Sequence, residues 1–164
     1  MKRIIVVFFL SILFLILDNA LMPFISIKGF YPSLLFIFAV SYSIAQDEKA
    51  ALKVGIFSGA LQDIYFYHGF GINVFTNMLI CLMAAYIGKI IFKEKKFIPS
   101  ITVFAASFIK GVLVYIIFYV LKIHMDVDKI LFISLYNMIL GIFMYAYVYK
   151  LSMKNFMKRD WKFK

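Results

Sequence analysis

The residues best equipped for chemistry cluster between Gly55 and Asn73, where Gly55, Ser58, Gly59, Gln62 and Asp63 are followed by His68, Gly69, Gly71 and Asn73. On a helix, Gly55, Gly59 and Asp63 recur at i, i+4 and i+8 and share one face, with Ser58 and Gln62 beside them. Small residues at that spacing let two backbones approach closely, because lipid gives helices little hydrophobic reason to associate. The same gap could instead form part of a ligand pocket, so Gly55 and Gly59 are read as a helix-packing or partner-binding face.

Asp63 is the most demanding of these residues, because an ionisable group within a membrane span is costly and faces either a partner or a wet cavity. Counted from Lys49 to Lys53 it lies about 15 to 20 Å along its helix, and Lys110, counted from Pro99, lies at about 16 Å on a helix running the same way. Similar depth makes Asp63 and Lys110 candidates for an intramembrane ion pair; the alternative is an Asp63 near the outer interface that is merely wet. Asp18, Asn19, Gln62, Asn73, Asn77 and Asn137 also fall towards the outer half. They either line an outward-facing cavity or join helices through hydrogen bonds, each worth about 0.6 to 2 kcal/mol.

Catalysis has little to build on. His68 and His124 fall in loops without the His-Glu-x-x-His helical arrangement of a metal site. Ser58 has no nearby base on its helix to activate it. No glycine-rich loop ending in Lys-Ser/Thr is present to cradle phosphates. The single cysteine, Cys81, sits in an apolar run, which excludes an internal disulfide and a cysteine-based zinc site. The expectation is a non-enzymatic protein with no cofactor and no metal.

The elements that position these residues follow from hydropathy. The chain is 65% hydrophobic, against about 45 to 50% for a soluble domain. Six apolar segments, 4–22, 31–46, 50–66, 71–92, 99–121 and 130–150, are ended by charge, proline or glycine. The second and third are short and could be tilted or partly re-entrant. They predict an all-α membrane protein, a six-transmembrane helix bundle forming one domain over residues 1–150, with a basic cytoplasmic tail over 151–164. The basic start followed by Ile4 to Leu17 resembles a signal peptide, but the stretch from Asp18 to Pro23 lacks a small-x-small cleavage site, so it is read as a retained first helix.

Net charge is +10, but the cations sit between apolar runs, which argues against nucleic acid and for the cytoplasmic excess of Lys and Arg in membrane proteins. With the N-terminus inside, 14 of the 18 cations fall on the inner side, and Lys28, Lys122 and Lys129 fall outside, with Lys110 within the fifth run. That partition favours an even number of crossings and puts both termini in the cytoplasm. The tail, with Phe156, Met157, Trp161 and Phe163 among its cations, is either a positive-inside stop signal or a segment that lies on anionic membrane lipids.

The core Gly55-x-x-x-Gly59-Ala60-Leu61-Gln62-Asp63, followed by Gly69-x-Gly71-x-Asn73, together with the basic start and short loops, resembles the rod shape-determining MreD family. In motif the likeness covers residues 55 to 73, and Asp63, Gly69 and Asn73 are the positions it transfers. The resemblance implies a scaffold subunit of the bacterial cell-elongation complex, with MreC, RodA and a penicillin-binding transpeptidase as partners, and MreB as a further one. It also implies a fold resembling the substrate-capture subunits of energy-coupling factor transporters. A vitamin-capturing subunit is therefore the main competing reading, although the first helix lacks an Ala-x-x-x-Ala docking seam. A proton-coupled carrier using Asp63 is the third.

Overall fold

The computed structural model describes residues 2–27, 29–65, 71–91, 97–123 and 127–154. They form six α-helices: α1 (Lys2–Ala20), α2 (Leu34–Ala45), α3 (Glu48–Tyr65), α4 (Ile72–Ile90), α5 (Phe97–Val120) and α6 (Asp128–Ser152), with a short 3-10 turn at Met22–Ile25 after α1. Gly69, His68, His124 and the tail from residue 155 lie outside the described residues.

The short second segment occupies the centre of the bundle. Every residue from Leu35 to Ile44 is buried, and α2 packs against all five other helices. A helix that is apolar on every side must be surrounded. At 12 residues it is about 18 Å long, well short of a hydrocarbon core about 30 Å thick. Pro32 sets its start, because the residue before a proline is pushed out of the helical region, and Ser33 caps it by accepting from the Phe36 amide.

α1, α4, α5 and α6 are each long and apolar enough to cross a membrane. Their outward residues are large and apolar, among them Phe9 and Ile16 on α1, Tyr86 on α4, Ile101 and Ile116 on α5 and Phe143 on α6. A bilayer is the solvent such surfaces require. α3 is long enough, at 18 residues, but carries Glu48, Lys49, Lys53 and Asp63.

Helices α5 and α6 run antiparallel, with Gly111 against Ile130 and Gly141 against Val103. The start of α1 reaches the far end of α2, where Arg3 Nε donates to the Tyr42 hydroxyl at 2.8 Å and the guanidinium pairs with Asp47 at 3.6 Å. Close by, Lys89 at the end of α4 pairs with Glu48 at the start of α3. Because α5 begins a short connection after the end of α4 and α6 runs antiparallel to α5, the last turn of α6 lies at this same end of the bundle. Gly88 fits α4 against α2, where a Cβ would collide with the Ile44 carbonyl.

Candidate functional site

Near the end of the bundle opposite Arg3, polar side chains from α1, α3, α4, α5 and α6 join in one network around Ser33, the residue that caps α2. The first turn of a helix leaves backbone N–H groups without intrahelical acceptors, and hydrocarbon offers no water to satisfy them. Acids on two neighbouring helices supply the acceptors.

Asp18, near the end of α1, accepts from the Leu34 amide at 2.5 Å, the Leu35 amide at 3.1 Å and the Ser33 hydroxyl at 3.0 Å. Asp63, near the end of α3, does the same for α4. Its two oxygens accept from the amides of Gly71, Asn73 and Val74 and from Asn73 Nδ2, all at 2.9 to 3.0 Å. Gly71, the residue before α4, has φ of +102° and no side chain to cap the helix itself. The carboxylate of α3 takes over that task, and the partial positive charge of the helix N-terminus complements it.

Gln62 links these two caps to the rest. Its Nε2 donates to Ser33 Oγ at 3.0 Å, and its Oε1 accepts from Asn77 Nδ2 at 3.0 Å and from Lys110 Nζ at 2.8 Å. Asn77 also donates to Ser58 Oγ at 3.2 Å. On the other side, the Ser33 amide donates to Asn137 Oδ1 at 3.1 Å, and Asn137 Nδ2 donates to Ser107 Oγ at 2.6 Å. The Lys110 ammonium lies 4.6 Å from the centre of the buried Phe36 ring, close enough for a cation–π attraction.

The expected Asp63–Lys110 ion pair is thus replaced by a different arrangement. A carboxylate offers about four lone-pair sites, and in Asp63 all four are taken by the start of α4. Lys110 reaches Gln62, the neighbour of Asp63, and feels the charges of Asp63 and Asp18 at longer range.

Asp18, Gln62, Asn77 and Asn137, expected as an outer polar cluster, are all buried and share one network. Asn77 Oδ1 is a buried acceptor left without a partner. Asn19 stands apart, donating to the Leu15 carbonyl of its own helix. Gly55 and Gly59 face α4 of the same chain. A Cβ on Gly55 would come within 2.9 to 3.0 Å of Asn77 O, Met78 Cα and Cys81 Cβ, and one on Gly59 would collide with the backbone of Asn73 and Val74. That closeness brings Asp63 within reach of the α4 amides.

Sequence reasoning missed Ser33, Ser107 and Gly88. Ser33 carried a usable signal, since a Ser directly after Pro and before an apolar run is an N-cap pattern. Ser107 had none, because its partner lies 30 residues away.

Six helices, four of them able to cross a bilayer and joined by buried hydrogen bonds, define an all-helical integral membrane protein. The family described as rod shape-determining protein MreD matches residues 1–155. The chain belongs to that family and is a rod shape-determining membrane protein, associated with the membrane and the rod-shape complex. No curated protein and no solved structure matches it, and the likeness to energy-coupling factor subunits stays an expectation from the sequence.

Proposed function

We propose that the protein is a non-enzymatic scaffold subunit of the bacterial cell-elongation complex, acting in cell shape and peptidoglycan synthesis. It holds MreC, RodA and a penicillin-binding transpeptidase together in the cytoplasmic membrane, with MreB as a further contact. The family match over residues 1–155 carries this reading. The distribution of side chains supports it: the buried polar groups bind helices of this chain to one another, whereas large apolar residues on α1, α5 and α6 face outward. Such faces suit packing against other membrane segments. The placement of cations on one side supports six crossings with both termini in the cytoplasm.

Affinity purification of the full chain from mild detergent tests the reading. MreC and the wall-synthesis enzymes are expected in the eluate, and replacing Phe143 or Ile116 by a bulkier or charged residue should reduce their recovery without preventing membrane insertion. Recovery of a bound vitamin with an ATPase module, and no MreC, would overturn it.

A further inference from the structure

At the end of the bundle that holds Arg3, a cleft of about 530 Å³ opens between α1 and α3. Its walls are apolar, with Val7 and Phe8 on one side and Val54 and Phe57 on the other. The Phe8 and Phe57 rings stack at 5.1 Å and bridge the two helices. Its polar lining is cationic: Arg3, Lys49 and Lys53 against the single carboxylate of Asp47.

Two features point to an anionic occupant. Lys49 and Lys53 are exposed and stand one turn apart on α3, so both can reach the same anion. The Arg3 guanidinium is anchored by its Nε bond to Tyr42, and its buried Nη2 makes no hydrogen bond, its nearest acid being Asp47 Oδ1 at the longer distance of 3.6 Å. A guanidinium presents a planar fork of donors suited to a phosphate.

The charge and depth of the cleft point to a lipid. Lys49 and Phe57 lie about 12 Å apart along α3. The cationic mouth lies beside the start of the apolar run of α1, at the depth of a headgroup, and the aromatic pair lies deeper, at the depth of acyl chains.

We propose that the α1–α3 cleft binds an anionic phospholipid, with its phosphate held by Arg3, Lys49 and Lys53 and its upper acyl chain lying along the outer edge of the stacked Phe8–Phe57 pair. The lipid is drawn from the leaflet on the Arg3 side of the bundle. This site is separate from the polar network at the opposite end of the bundle.

The test is native mass spectrometry of the full chain in detergent, with dioleoyl phosphatidylglycerol and dioleoyl phosphatidylcholine competing after stepwise delipidation. The wild-type protein should retain phosphatidylglycerol preferentially. The double variant Lys49→Gln/Lys53→Gln should lower that preference about 25-fold, about fivefold for each cation near the membrane surface. The matched control Lys122→Gln/Lys129→Gln should leave it unchanged. An equal preference in both double variants would overturn the proposal, as would displacement of the lipid by inorganic phosphate alone, which would indicate a simple anion site. A photo-crosslinking residue at position 53 should label phospholipid in cells; labelling of another polypeptide instead would assign the cleft to a partner helix and also overturn the proposal.

Discussion

Replacing Asp63 separates a capping role from a charge-pairing role. Asp63→Leu removes the acceptor for three α4 amides and for Asn73 Nδ2. Hydrogen bonds between helices in membranes average about 0.6 and reach about 1.7 kcal/mol, so losing four should cost about 2 to 7 kcal/mol. Asp63→Asn keeps one oxygen for the Asn73 donors but turns an NH₂ towards the Gly71 and Val74 amides, and should cost about half as much. Asn73→Ala removes one side-chain bond and should cost about 0.6 to 1.7 kcal/mol. Reversible unfolding by SDS titration in mild detergent, followed by helical circular dichroism, measures all three. Hydrogen exchange at Gly71, Asn73 and Val74 should accelerate in the same order. If Asp63 served mainly as a counter-charge, Asn and Leu would be equally damaging; that result, or an Asp63→Leu variant as stable as wild type, would refute the capping argument.

The charge-swap variant Asp63→Lys/Lys110→Asp should not rescue stability, because an ammonium at position 63 would face the four α4 donors; recovery to the level of the better single variant or above would restore the direct ion pair. Gly59→Ala should cost about 1 to 3 kcal/mol through overpacking against Asn73 and Val74. Gly55→Ala, whose added methyl meets milder contacts at 2.9 to 3.0 Å, should cost less than Gly59→Ala in the same unfolding assay.

The extent of each helix was legible in the apolar runs, which end within a few residues of the observed α1 to α6. The role of α2 was not. Leu34 to Ala45 reads as a short apolar run, and periodicity cannot distinguish a buried core helix from a span touching lipid. The Gly55, Gly59 and Asp63 face was visible as a face, but nothing in the spacing says which helix lies across it. Depth alone made Lys110 a plausible partner for Asp63. What decided otherwise was backbone: the residue before α4 is a glycine that cannot cap the helix, and the amides at that helix start outcompete a distant ammonium for the carboxylate. The Lys89–Glu48 pair joins positions 41 apart and was invisible for the same reason as Ser107, since a long-range partner leaves no local pattern.

Lys110 then needs an account that does not rest on a direct acid partner, and the charge of the buried layer supplies one. Asp18 and Asp63 together bring −2. The N-termini of α2 and α4, which they cap, each contribute about +0.5. The ammonium of Lys110 supplies the remaining +1, so the layer closes near neutrality although Lys110 touches neither acid. Lys110→Met should therefore destabilise the protein even though Gln62 Oε1 retains its bond from Asn77. In that background, Asp18→Asn should be less harmful than in the wild type, because it removes an anion that has lost its balance. Coupled residues in one network show interaction energies of about 0.5 to 3 kcal/mol, a range the same unfolding assay resolves. Strict additivity of the two substitutions would mean that Lys110 acts only through its contacts with Gln62 and Phe36, and the neutrality argument would fail.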